Sequence, residues 1–259
     1  MIIDSHCHLN MLKLDNYEGG LAALIAATHE AGVEYILNVG VDLEHAQQVI
    51  DTAQQFPYVY ASAGLHPSDV KGQVPTRNQL LEFFTQPKVV AIGETGLDYH
   101  YNSEQLEAMR SSFRLHIQLA KEIQKPLIIH TRDAREDTLA IMREENAAVA
   151  GGVMHCFTES WEMAEAAIAM GFYISFSGIV TFKNATELQA VVAKVPLEHM
   201  LIETDAPYLT PTPYRGKSNE PRYVRYVAEK IAEIKGVSFD EVCQKTSANC
   251  LKLFNFNSR

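Results

Sequence analysis

Apolar residues in this chain come in short, unbroken clusters. They lie at residues 2–3, 33–41, 59–64, 89–93, 126–129, 152–154, 172–177 and 200–202. Their apolarity is continuous rather than alternating, which marks strands buried on both faces. Between the clusters the period changes to three and four. Over residues 103–124, Leu106, Met109, Phe113, Ile117, Ala120 and Ile123 form one apolar stripe behind Ser103, an N-cap residue. Residues 221–236 start on Pro221, a first-turn residue, and place Val224, Val227, Ile231 and Ile234 on one face. Ser238-Phe239-Asp240-Glu241 is a capping-box sequence for a last helix that runs through Leu251 and Leu253. Eight strands alternating with helices over this length predict an α/β fold. The periodicity alone allows either a (β/α)8 barrel or an open doubly wound sheet.

Composition narrows the setting. The 259 residues, 47% of them hydrophobic, suffice for a large core. No low-complexity segment or Pro/Gly/Ser-rich linker divides the chain, so a single domain over 1–259 is expected. No apolar run is long enough to span a membrane, and the first residues lack the basic start and apolar stretch of a secretory signal. Four cysteines, Cys7, Cys156, Cys243 and Cys250, form no Cys-x-x-Cys pair and no disulfide framework, which points to a reducing cytoplasm. The 22 Lys and Arg against 32 Asp and Glu give a formal charge of −10. A protein that coats nucleic acid through a broad basic surface is thereby excluded. A local basic or metal-bearing site is not.

Candidate chemistry gathers at one edge of the expected sheet. His6-Cys7-His8 follows the first strand, and the extended backbone turns both imidazoles to one side and Cys7 to the other. Glu94, His130, His155 and Asp205 each stand at or just beyond the C-terminal end of another strand, the edge where active sites of α/β proteins lie. A His or acid at one strand end is commonly just a satisfied polar residue, but six potential metal ligands from five strands share this edge. If the first and last strands serve one centre, the sheet must close on itself, which favours the barrel. Four imidazoles and two carboxylates exceed the roughly three protein ligands of a one-metal catalytic site. Two divalent ions are therefore expected, with Glu94 bridging them. A pair of ions about 3.5–4 Å apart suits displacement at phosphorus. Asp205 is the candidate general base.

At these residues the chain resembles the TatD family of metal-dependent hydrolases, and within it the YcfH branch. The likeness rests on Asp4-Ser5-His6-Cys7-His8-Leu9, Gly64-Leu65-His66-Pro67, Gly93-Glu94-Thr95-Gly96-Leu97-Asp98-Tyr99 and Ile129-His130-Thr131-Arg132-Asp133-Ala134. It continues through His155-Cys156-Phe157-Thr158, Phe172-Tyr173-Ile174-Ser175-Phe176-Ser177-Gly178, Glu203-Thr204-Asp205-Ala206-Pro207-Tyr208-Leu209 and Arg215-Gly216-Lys217. The resemblance implies a TIM barrel, divalent metals and hydrolysis of DNA phosphodiesters. By position it implies His6, His8, Glu94, His130, His155 and Asp205 as metal ligands. Glu94 stands where some relatives in the wider superfamily carry a modified lysine.

Nearby residues have open roles. His66 either holds a substrate phosphate or stabilises the Leu-His-Pro turn. Glu203 lies two residues before Asp205 and is expected to support the ligands by hydrogen bonding. Arg132 is read as a phosphate clamp in preference to a surface partner of Asp133 or Asp137. Lys183, Arg215 and Lys217 occupy loops after the seventh and eighth strands, where barrels bind phosphate, or are solvated loop charges. His29, His45, His116 and His199 are read as structural, His100 as lining the mouth, Cys7 and Cys156 as small buried fillers, and Trp161 as a packing residue. The leading expectation is a deoxyribonuclease acting exonucleolytically on single-stranded or frayed DNA ends, with no membrane or obligate protein partner. The alternative keeps the site for amides or esters, including mischarged aminoacyl-tRNA. Mixed imidazole and carboxylate ligation suits Zn²⁺, Mn²⁺, Co²⁺ or Fe²⁺ better than Mg²⁺.

Overall fold

A computed structural model describes residues 1–101 and 104–256. Its strands are β1 (Ile2–Cys7), β2 (Val33–Val39), β3 (Val59–Ala63), β4 (Val89–Asp98), β5 (Leu127–Arg132), β6 (Gly152–Met154), β7 (Phe172–Phe176) and β8 (Met200–Ile202). All neighbours in the sheet are parallel and follow chain order. Helices α1 (Gly20–Glu30), α2 (Ala46–Gln55), α3 (Arg77–Phe84), α4 (Leu106–Ile123), α5 (Arg135–Glu144), α6 (Trp161–Ala169), α7 (Thr186–Lys194) and α8 (Val224–Lys235) follow the strands in turn. A last helix, α9 (Phe239–Phe254), lies against β1 and β8.

The sheet curls until its ends meet, giving the TIM barrel. Ser5 Oγ donates to Ile202 O at 2.9 Å, Asp205 N to His6 O at 2.9 Å and His8 N to Ala206 O at 2.8 Å. The β1–β8 seam is thus stitched at the edge where the chemistry gathers. Ile3, Leu37, Ala91, Ile128, Val153 and Leu201 share one buried cluster. Side chains from six different strands can meet only inside a closed sheet. Phe254 and Phe256 join that cluster, and Phe256 stacks on Tyr60 near the start of β3 at 4.5 Å, so the chain end covers the opposite mouth. A larger cluster packs the helices on the outer face.

Most boundaries follow the hydrophobic pattern, and β6 and β8 match it residue for residue. Three strands outrun it. β1 runs past Ile3 to Cys7. β4 continues past Gly93 to Asp98 because Thr95 to Asp98 pair with Ile129 to Arg132, and β5 extends through His130 to Arg132 for the same reason. Glu94, Asp98 and His130 therefore sit within these two strands. The expected cap Ser103 lies outside the described residues, and α4 begins at Leu106. Pro221 opens a 3-10 turn that leads into α8. Ser238 caps α9, its hydroxyl accepting from Glu241 N.

Candidate active site

The C-terminal edge of the barrel opens into a cleft of about 670 Å³ lined by His8, His66, Glu94, His130, His155 and Asp205, among others. Glu94 stands at its floor, buried, with its two oxygens facing opposite groups. Oε2 lies 3.2 Å from His6 Nε2. Oε1 lies 2.7 Å from His155 Nε2, 3.1 Å from His130 Nδ1 and 3.1 Å from His66 Nε2. On the first side, Asp205 Oδ1 is 3.4 Å from His8 Nε2 and 3.6 Å from His6 Nε2. All six residues expected as ligands are brought together.

The surroundings fix how each ring presents itself. The Val39 carbonyl, 2.9 Å from His8 Nδ1, can only accept, so Nδ1 carries a proton and Nε2 offers its lone pair to the cleft. Asp98 Oδ2 does the same for His130, 3.0 Å from Nε2, and Glu203 Oε1 for His155, 3.3 Å from Nδ1. Outward-facing protons on inward-facing ligands are the arrangement that orients metal-binding imidazoles. What remains inside is acceptor facing acceptor. His6 Nε2 and His8 Nε2 are 3.3 Å apart, His155 Nε2 and His130 Nδ1 are 3.4 Å apart, and all face carboxylate oxygens. Such a set is repulsive unless positive charge lies within it, so its chemistry fits divalent cations. Within this cluster, three sets of donor atoms lie close enough to surround an ion: His6, His8 and Asp205; His66, Glu94 and His130; and His6, His155 and Glu203. Glu203 Oε2 is buried with no hydrogen-bond partner.

The same demand for positive charge governs titration. Burial opposes ionisation of Glu94, yet His155, His66 and His130 outweigh it and hold the carboxyl well below its usual range. Asp205 is likewise buried but lowered by its hydrogen bond to His8 and by His6 and His155. Burial works against a charged His155, but Glu94 and Glu203 push it well above an ordinary imidazole. His6 goes the other way, lowered by burial and by His155, whose ring stacks on it at 4.0 Å.

His66 serves the turn after β3. Ser68 N donates to its Nδ1 at 3.1 Å, which leaves the proton on Nε2, facing Glu94. Arg132 lines the cleft, exposed, with its guanidinium 4.6 Å above the Tyr101 ring. Its competing surface partners are engaged elsewhere: Asp137 with Arg110 at 2.6 Å and Asp133 with His100 at 3.1 Å. Lys183, Arg215 and Lys217 do not line the cleft. Arg215 lies 3.8 Å over Phe182, and Phe182 lines a smaller groove that shares Thr158 and Ile179 with the cleft. Lys217 lies 5.5 Å over Tyr214.

The structural readings of the remaining histidines also meet their partners. His29 stacks on Tyr58, His45 bonds Asp42, and His116 is buried within α4. Two contributors carry no role in the sequence reading. Asp98 shares the His130 ring with Glu94, and the strand period of two from Glu94 was the available signal. Asp4, buried beside β8, accepts from Thr204 N at 2.9 Å and from Thr204 Oγ1 at 2.6 Å. Burial pushes its carboxyl up to about 8 against those bonds. In the sequence it is an acid directly after the first apolar run.

Comparison with known proteins shows the family. The family model described as TatD related DNase matches residues 3–255. The chain is 44% identical over 260 residues to the uncharacterized metal-dependent hydrolase YabD of Bacillus subtilis, covering 99% of this chain and 100% of that one. It is 34% identical over 238 residues to the 3'-5' ssDNA/RNA exonuclease TatD of Salmonella typhimurium, covering 89% of this chain and 91% of that one. The crystal structure of YjjV, a TatD homologue from Escherichia coli K12, superposes with a TM-score of 0.88 at 29% identity, covering 98% of each chain.

Proposed function

We propose, since the chain belongs to the TatD related DNase family and is a metal-dependent hydrolase, that it cleaves phosphodiester bonds of DNA, releasing nucleotides from single-stranded or frayed ends. The observation that carries this reading is the two-sided cluster around Glu94 in a cleft whose rim holds Arg132 with no carboxylate partner among the described residues. Two divalent cations would be held there, one by His6, His8 and Asp205, the other by His130 and His155, with Glu94 reaching both. Bound in this way, they supply Lewis acidity and lower the pKa of nearby water. Zn²⁺, Mn²⁺, Co²⁺ or Fe²⁺ suits the donor set better than Mg²⁺.

The chain's own groups do the rest. Asp205, ionised and partly open to the cleft, accepts the proton of the attacking water. Arg132 takes the non-bridging phosphate oxygens through its planar fork. His66 donates to Glu94 and fixes the plane of that carboxylate. Arg215 and Lys217, beyond the cleft, meet phosphates further along the strand. Four free cysteines accord with action in the cytoplasm.

The test is an assay with 5′- and 3′-labelled single- and double-stranded DNA across Mg²⁺, Mn²⁺, Co²⁺ and Zn²⁺, run beside RNA, amides, esters and aminoacyl-tRNA. Metal-dependent shortening of single strands from one end is expected, and chelation should abolish it. Activity confined to amides, esters or aminoacyl-tRNA would replace the nuclease reading. Asp205→Asn should keep the far-UV spectrum and lose turnover by a factor on the order of a thousand. Wild-type turnover in that variant would remove Asp205 from the role of base or ligand.

A further inference from the structure

Among the described residues six large hydrophobic side chains are strongly exposed, and two of them, Tyr101 and Tyr208, line the cleft. Tyr101 already has a partner, since its ring carries the Arg132 guanidinium. Tyr208 presents a largely bare ring. It is 55% exposed, yet both its backbone N–H and its carbonyl are hydrogen-bonded.

Two hydrogen bonds hold it, and its neighbours are held as well. Tyr208 N donates to Asp205 O at 2.9 Å, and Asn219, buried, donates from Nδ2 to Tyr208 O at 2.6 Å and to Thr204 O at 2.8 Å. From the other side Gly178 packs so closely that a Cβ there would stand 2.0 Å from Leu209 O. The ring itself lies edge-on to His8, with centroids 6.4 Å apart, and its hydroxyl reaches Met11 Sδ at 3.8 Å. A rigid backbone that keeps an aromatic face in water has little packing to gain from it. Beside a phosphate-sized site, such a face has a ready use, because every nucleobase offers a complementary π-face.

We propose that Tyr208 is a base-stacking platform for one of the two nucleotides flanking the scissile phosphate, making the cleft selective for phosphodiesters that carry a nucleobase there. The inference rests on the phosphodiesterase reading and adds a specificity determinant to it. Arg132 and Tyr101 hold the phosphate from one flank of the mouth. Tyr208 holds a base on the flank of His8 and Asp205. A duplex end, whose terminal bases are paired and stacked, has to fray before either can stack on the ring, so the platform also favours single strands.

A substrate-by-variant cycle tests this. Wild type, Tyr208→Ala and Tyr208→Phe are assayed on a short single-stranded oligonucleotide, on the same strand abasic at its terminal nucleotide, and on one abasic at the penultimate nucleotide. Tyr208→Ala should lower kcat/KM on the intact strand roughly 5- to 100-fold. Tyr208→Phe, which keeps the ring, should stay within about twofold of wild type. On one of the two abasic strands the alanine loss should vanish, because the base it would have met is gone. If the loss is the same on all three strands, or if no loss occurs, the platform is overturned while the nuclease reading stands. A wild-type enzyme that cleaves none of the strands ends both. Should Tyr208→Ala not fold, Tyr208→Leu supplies apolar bulk without a π-face and enters the same cycle.

Discussion

His116 shows what burial does to an imidazole that serves only the fold. It is buried in α4, its Nδ1 donating to Ser112 O at 2.8 Å and its Nε2 accepting from Leu65 N at 3.1 Å. Burial pushes its pKa down to about 4 from 6.5, against the help of Ser112. Between those values the unfolded chain takes up a proton that the folded chain refuses. Its stabilising contribution is therefore complete above pH 6.5 and lost as pH falls toward 4, roughly 3 kcal/mol in all. Urea midpoints at pH 7 and pH 4.5 should show a larger drop for wild type than for His116→Gln, and equal drops would refute the assignment. A histidine of this kind was legible in outline, since its place in a helical stretch away from the strand ends marked it as structural. Asp98 and Asp4 were less so. Each looks like one more acid in the sequence, and only the ring of His130 and the backbone of Thr204 reveal what they hold.

At the scale of elements, the hydrophobic pattern located every strand but not where β1, β4 and β5 would end. A strand that carries ligands must be polar on its inner face near its C-terminal edge, so the apolar signal fades where the chemistry begins. β4 and β5 continue beyond it, and their extra ladder holds Glu94, Asp98 and His130 in register. Gly96 makes this approach possible. Its φ is +139°, and a Cβ there would stand 2.0 Å from His130 O. Gly96→Ala should therefore push β5 away, cost about 2 kcal/mol or more, and loosen the ring that Asp98 and Glu94 share. Denaturant melts would read the first effect and metal content after dialysis the second. A variant that lost stability but retained full metal would mean that the strand can shift without moving His130. The TIM barrel was selected over the open sheet by a different kind of signal. Ligand candidates on the first and last strands require those strands to be neighbours, and the hydrogen bonds from Asp205 N and His8 N across the seam are that neighbourhood.

Over the whole molecule, a formal charge of −10 sets how a polyanion can be met. On the proposed nuclease reading, that net charge repels it, and attraction would come from cations held in the cleft and from a few basic side chains near its rim. Arg132 has the cleft, while Arg215 and Lys217 sit on aromatic rings beyond it, and none of the three has a carboxylate partner among the described residues. A binding surface of this size displaces few counterions. For single strands each phosphate neutralised contributes a slope of about −0.7 in the logarithm of affinity against the logarithm of salt. Three contacts thus limit the slope to about −2, far shallower than for a protein that coats its target. Measured under conditions where kcat/KM tracks binding, Arg132→Ala should flatten the slope by about 0.7 and weaken all sequences alike. Arg215→Ala should flatten it on strands long enough to reach the second groove and leave it unchanged on a dinucleotide. A slope steeper than about −4 in wild type would require a basic surface that this fold does not present, and the route of the strand would have to be redrawn. On the proposed nuclease reading, acidity outside and cations held within act together at two scales: the protein would engage an end briefly, at one place, and release what it has cut.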